Sequence, residues 1–121
     1  MGIEARDLTR KHCRACESGV PPLSADEVRQ HLRAVPLWQL DGEGKRIRRE
    51  YRVKDFASAL EFFGRVGQVA ENEDHHPDLH LTGYRNVTLE LYTHAVGGLT
   101  ENDFILAAKI DEIPVELQTR G

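Results

Sequence analysis

The sequence predicts an α+β domain, a four-stranded antiparallel sheet with about three helices packed on one face. Three observations lead there. Apolar residues recur at helical spacing in three segments and alternate with polar ones in the strand candidates between them. The resulting order is helix, two strands, long helix, two strands, helix. Each strand pair is joined by a short Gly-bearing turn, which favours antiparallel pairing over the long crossovers that parallel strands need.

Residues 1–22 read as an irregular arm ending at Gly19-Val20-Pro21-Pro22, and residues 23–121 as the folded domain. Ser24 opens the first helix, because Ser24 and Glu27 have capping-box spacing and can satisfy each other's orphan N–H groups. Leu23, Val28 and Leu32 supply its narrow apolar stripe, and Pro36 lies beyond its end. Trp38-Gln39-Leu40 reads as a strand, Asp41-Gly42-Glu43-Gly44 as a turn, and Arg46 to Val53 as the returning strand, with Ile47, Tyr51 and Val53 on one face. Asp55 caps the longest helix, which runs to about Glu73. Phe56, Ala59, Leu60, Phe63, Val66, Gly67 and Ala70 form its expected apolar face. Gly64 and Gly67 each cost that helix up to about 1 kcal/mol relative to Ala, which points to close packing there. Pro77 stops the helix, since the residue before a proline avoids the α region. Leu79 and Leu81 mark a short strand, a turn follows near Gly83, and Val87, Leu89, Leu91 and Thr93 alternate with polar residues in the cleanest strand of the chain. Gly97-Gly98 ends it, and Thr100 with Asp103 caps a last helix that finishes before Pro114.

Composition removes several function classes. The 121 residues are 40% hydrophobic and 30% charged, with a net charge of −4. Generic binding to nucleic acid or to anionic lipid needs a basic surface, so neither is expected. Lys45, Arg46, Arg48, Arg49 and Arg52 crowd one strand and read as a solvated face. No apolar run approaches the roughly 20 residues that span a bilayer. The charged start, Met1 to Lys11, lacks the apolar core of a secretory signal, so the cytoplasm is the expected compartment. Cys13 and Cys16 form a lone CxxC beside His12. A structural zinc usually takes four protein ligands and these supply three. Two reduced thiols on an arm, or a zinc shared across a dimer, both fit that pattern, whereas a redox motif belongs to a βαβ unit that is absent here.

Three of the six histidines carry the expected chemistry. His75 and His76 stand where the long helix runs out, and His94 ends the cleanest strand, just before the glycine pair. Chain reversals at these points let their side chains converge on a cleft, and the glycines let backbone approach a flat ligand closely. Imidazole titrates near neutrality, so a histidine cluster suits proton transfer. Glu71, Asp74 and Asp103 can hold an imidazole in one tautomer or bind a substrate amine. A metal reading competes through His76 and His80, four residues apart, joined by His75, Asp74 and Glu71. That spacing gathers ligands only on a helix, which Pro77 interrupts, so no metal is expected. His80 is placed at the rim or in solvent, and His31 has no partner pattern.

Asp74-His75-His76-Pro77-Asp78, Tyr84, Val87, Thr93-His94, Gly97-Gly98-Leu99-Thr100, Asp103, Ala107-Ala108 and Ile110-Asp111 resemble the signature of the pterin-4a-carbinolamine dehydratase family. Leu23-Ser24, Pro36 with Trp38, and the Phe56-to-Phe63 helix also match, so the resemblance covers about 100 residues. The arm with its CxxC is similar to that of longer bacterial and plant members. The resemblance implies the same sheet-and-helix fold, a homodimer or homotetramer, and a reaction that needs no cofactor: loss of water from a 4a-hydroxytetrahydropterin, the substrate, to give quinonoid dihydropterin. That product is reduced back to the tetrahydropterin used by aromatic amino acid hydroxylases. The resemblance further implies that His75 and His94 are the acid and base, that His76 binds and orients the pterin, and that Glu71 and Asp103 are the acidic site positions. Pro77, Thr93, Ala95 and Val96 fall at ligand-contact positions, with Asp74 beside them. One residue more separates Pro77 from Thr93 than in animal members. Relatives without enzymatic activity act as dimerisation cofactors of transcription factors or as assembly factors for Rubisco, and a binding module of that kind is the alternative reading.

Overall fold

A computed structural model of the chain describes residues 3–13 and 21–118; Cys16 and the Gly19-Val20 end of the expected arm lie outside them. The elements are α1 (Ala5–Thr9), α2 (Ala25–Leu32), β1 (Gln39–Leu40), β2 (Ile47–Arg52), α3 (Phe56–Glu73), β3 (Asp78–Thr82), β4 (Asn86–Leu91), a 3-10 turn (His94–Val96) and α4 (Glu101–Asp111). The strands form one antiparallel sheet in the order β1-β2-β4-β3. Among the described residues no helix is long and apolar enough to cross a membrane.

The register explains the two faces of the sheet. Ile47 pairs with Leu91 and Tyr51 with Val87, so the apolar members of both strands project to the core side. There they meet α3 through the rings of Tyr51 and Phe62, whose centroids lie 4.9 Å apart. The expected alternation of β2 has one exception. Arg49 pairs with Leu89 on the core side, where its guanidinium reaches Asp111 at 2.5 Å and lies over the Tyr51 ring. Asp111 also accepts from the Trp38 indole N–H at 2.8 Å, so one carboxylate ties β2 and the residue before β1 to the end of α4. Arg46, Arg48, Glu50, Thr88 and Glu90 occupy the outer face.

The caps at Ser24 and Asp55 are present: Ser24 Oγ accepts from the Glu27 N–H, and Asp55 from the Ser58 N–H. The apolar face of α3 is partly different from the expected one. Ala59, Phe62, Val66 and Ala70 are buried, whereas Phe56 and Leu60 are 50% and 51% exposed. Phe62, outside the expected face, is buried and meets Tyr51, and Phe63, within that face, is half-buried. Gly64 and Gly67 do not mark close packing, because a Cβ at either would meet nothing within 4 Å.

The first part of the arm also departs from expectation, since α1 is helical. Glu4 and Asp7 cap it reciprocally, and Leu8 is fully buried. One buried leucine in five helical residues is too short a pattern to show periodicity, and only packing against the rest of the fold stabilises so short a helix. The arm is then fastened at Glu73, the buried last residue of α3. This carboxylate accepts from the Cys13 N–H at 2.7 Å and from Lys109 Nζ at 2.7 Å, and meets His12 Nδ1 at 3.1 Å. Burial opposes its charge, but the hydrogen bonds from Lys109, Cys13 and His12 together outweigh that and hold its pKa at about 2, against an ordinary 4.5. The same surroundings push the Cys13 thiol up to about 12, by burial first and by the Glu73 charge second, which leaves it a poor nucleophile.

A folded-state pKa below the unfolded one means that the contribution of Glu73 is complete above the unfolded value and lost as pH falls toward the folded one. Stability measured by urea unfolding is expected to fall between about pH 5 and about pH 2, with roughly 2–3 kcal/mol of the loss due to this group. Glu73→Gln should flatten the curve in that window. Parallel curves for parent and variant would refute the assignment.

Candidate functional site

The end of α3 sets the position of the first two histidines. Asp74 takes a left-handed conformation, φ 52° and ψ 40°, which stops the helix and turns the chain. The His75 N–H still reaches the Ala70 carbonyl at 3.2 Å, so the turn is fixed before Pro77 directs the chain into β3. Aspartate tolerates this region better than most residues.

His75 is buried, and its Nε2 lies 2.7 Å from Asp103 Oδ1. Asp103 is fully buried on the first turn of α4. Its Oδ2 accepts from the Thr93 hydroxyl at 2.8 Å and from the Thr100 N–H at 2.9 Å. Since Thr93 donates to Asp103, the 2.9 Å contact between the two threonine hydroxyls has Thr100 as its donor. Both carboxylate oxygens of Asp103 therefore have partners, as a buried carboxylate requires. An ionised carboxylate only accepts, so Nε2 of His75 carries a hydrogen and its Nδ1 is the nitrogen left for proton chemistry.

His76 is exposed, with Nε2 2.7 Å from Glu71 Oε2. His94 opens the 3-10 turn after β4, also exposed, with Nε2 2.7 Å from the Tyr92 hydroxyl. Gly97 closes that turn at φ 63°, and the next residue, Gly98, pairs with Thr93 through the Thr93 N–H at 2.8 Å. The glycine pair thus returns the chain to Thr93, which brings Thr100 and Asp103 beneath His75.

His75, His76 and His94 all line one open cleft of about 280 Å³, together with Asp74, Pro77, Asp78 and Tyr92. The other expected site residues stand around it. Glu71 reaches the rim through His76. Thr93 and Asp103 are buried behind His75, with the Thr93 hydroxyl engaged by Asp103 and Thr100. Ala95 is exposed and Val96 half-buried on the turn beside His94. Tyr92 was not singled out in the sequence, and Asp78 and Thr100 stood there only as signature residues and, for Thr100, as a helix cap. An aromatic residue that continues the polar alternation just past β4, two positions before His94, is the signal that points to Tyr92.

Among the described residues, the side chains gathered closely enough to share a cation are Asp78, His80 and Glu90, on the outer face of the sheet, rather than the set around His76. Arg46 already meets two of them, at 3.3 Å from Asp78 and 3.9 Å from Glu90. His80 is exposed and bonded to Glu90 at 3.0 Å.

Comparison with known proteins bears on this site. The profile of the family described as Pterin 4 alpha carbinolamine dehydratase matches residues 21–113. An Arabidopsis thaliana protein named pterin-4-alpha-carbinolamine dehydratase 2, mitochondrial, is 48% identical over 91% of this chain, which spans 60% of the Arabidopsis protein's length. A Methylococcus capsulatus protein provisionally named for the same activity is 42% identical over 94% of this chain and 99% of its own. Among solved structures, a Brucella melitensis protein described as a transcriptional coactivator/pterin dehydratase superposes with a TM-score of 0.70 at 34% identity, covering 75% of this chain and 96% of its own. A pterin dehydratase-like protein described as a RuBisCO assembly factor of the alpha-carboxysome shares the fold, with a TM-score of 0.52 at 19% identity, covering 61% of this chain and 84% of its own.

Proposed function

Because this chain belongs to the pterin 4 alpha carbinolamine dehydratase family, we propose that it removes water from a 4a-hydroxytetrahydropterin and releases quinonoid dihydropterin. The observation that carries this reading is the convergence of His75, His76 and His94 on one cleft, with His75 seated on a buried carboxylate. The N5 lone pair of the substrate expels the 4a-hydroxyl: the C4a–O bond breaks and a C4a–N5 double bond forms. Two proton movements balance the step. His75 takes the N5 proton on Nδ1, and Asp103 stabilises the imidazolium that forms, as a carboxylate does behind a histidine base. His94 in its charged form gives a proton to the departing hydroxyl, which leaves as water. His76, steadied by Glu71, binds and orients the pterin ring, and Pro77, Ala95 and Val96 shape the cleft around it. Asp74 stands ready to accept from a pterin N–H.

The lone pair supplies the driving force, so the proposed reaction needs neither metal nor cofactor. Stopped-flow decay of the carbinolamine should accelerate on adding the protein and should be unchanged after dialysis against EDTA. Loss of turnover that zinc restores would revive a metal mechanism. A folded protein that leaves the decay at its spontaneous rate would instead favour the binding-module reading, which the description of the Brucella relative as a coactivator motivates. All three histidines are kept at the cleft, and this favours the enzyme.

A further inference from the structure

The proposed reaction leaves unused a row of side chains behind His94. Tyr92 directly follows β4, with its hydroxyl 2.7 Å from His94 Nε2 and its ring centroid 4.3 Å from that of the imidazole. Arg46, just before β2, places its guanidinium carbon 4.1 Å from the centroid of the Tyr92 ring. Arg46 is itself restrained, since Nη1 lies 3.3 Å from Asp78 and 3.9 Å from Glu90. Asp78 and Glu90 are direct partners in the β3–β4 register, so the sheet itself puts both carboxylates on the guanidinium. The result is a continuous row from two carboxylates through Arg46 and Tyr92 to His94.

We propose that Tyr92, steadied by Arg46, is a positioning residue that engages Nε2 of His94 and so makes Nδ1 the nitrogen presented to the substrate. The consequence for rate rests on the dehydratase reading; the consequence for the imidazole does not. His94 is exposed and stands on a turn of three residues, so packing alone leaves its ring free to rotate. Among the described residues, Tyr92 is the hydrogen-bond partner of that ring. A phenol can serve in both protonation states of the histidine. It donates to Nε2 when the imidazole is neutral and accepts from Nε2–H when it is charged. The ring orientation is the same in each case, and pre-set orientation of a proton donor lowers the barrier it acts on. In the resting neutral state a donating phenol favours the imidazole hydrogen on Nδ1. Once the charged form has given its Nδ1 proton to the departing hydroxyl, the hydrogen is left on Nε2 with the phenol accepting. Reprotonation from solvent through the charged form restores the resting tautomer. Arg46 favours the donating phenol, because a cation over the ring face draws on its π electrons and weakens the oxygen as an acceptor. His75 and His94 then both work through Nδ1, each with Nε2 held by a dedicated partner.

The test is ¹⁵N NMR of the imidazole side chains in the full chain, at a pH where His94 is neutral, alongside stopped-flow kinetics. The parent is expected to show a protonated Nδ1 and an unprotonated Nε2 at His94. Tyr92→Phe keeps the ring and its stack on Arg46 but should mix the two tautomers. It should also lower kcat by about tenfold, the worth of one hydrogen bond, with KM within about twofold. Arg46→Met should act in the same direction by about threefold, as an exposed cation–π contact allows. A parent His94 protonated on Nε2, or a Tyr92→Phe protein with unchanged tautomer and unchanged kcat, would overturn the proposal. If the parent fails to turn over carbinolamine, it is the dehydratase reading that falls. The nitrogen signals then decide the proposal alone: mixing in Tyr92→Phe upholds it and an unchanged spectrum overturns it.

Discussion

Alanine at His75 or at His94 is expected to lower kcat by about 10²–10⁴-fold, the usual contribution of a positioned acid or base, once spontaneous dehydration is subtracted. His76→Ala should show mainly in KM, because binding shared by ground and transition states leaves kcat largely intact. The three side chains line the same cleft, yet their settings differ. His75 is seated on buried Asp103 and His94 on Tyr92, whereas the exposed His76 meets only the exposed Glu71. The double variant should lose far less than the product of the two single losses, since groups serving one reaction step are non-additive. Circular dichroism must show each variant folded. If folded His75→Ala and His94→Ala both turn over at the parent rate, the histidine mechanism is wrong, and the chain is a binding scaffold on an inherited fold.

The second large effect is expected at Asp103, which joins stability to chemistry. Asp103→Ala removes the acceptor for His75 Nε2–H, the Thr93 hydroxyl and the Thr100 N–H at one fully buried point. Leaving buried donors without an acceptor costs about 1–3 kcal/mol each, read as a lower urea midpoint. Asp103→Asn separates the two roles. Its amide oxygen can still serve Thr93 and Thr100, so the fold should survive. Its NH₂ then faces Nε2 of His75, where a carboxylate stood, and a donor there forces the imidazole hydrogen onto Nδ1. The proposed base loses its lone pair toward the substrate, and kcat should fall by at least about 10²-fold. A folded Asp103→Asn protein with parental kcat would show that Asp103 is a structural support and does not set the state of His75.

Patterns along the chain carried the architecture and marked His75, His76 and His94 as candidates for one cleft. Residues that alternate with period two, from Val87 to Leu91, and caps at Ser24 and Asp55 report local geometry, so strands and helix starts were legible. His75 and His76 before Pro77, and His94 before Gly97-Gly98, were legible as one site because each stands at a forced chain reversal. Asp103 was legible as a helix-capping carboxylate that the family resemblance places at the candidate site, but not as a buried acceptor for three donors.

What only the tertiary structure decided are pairings between residues far apart in sequence. Arg49 faces the core because Asp111 is there to receive it, and α1 is ordered because Leu8 and Glu73 find partners in the folded domain. Phe62 rather than Phe56 or Leu60 enters the core, where Tyr51 of the facing strand meets it. The line from Asp78 and Glu90 through Arg46 to Tyr92 exists only through strand register. The physical reason is common to all four. Periodicity and capping are properties of a few adjacent residues, whereas a buried charge, a short helix or an exposed imidazole takes its state from whichever group the fold brings opposite it.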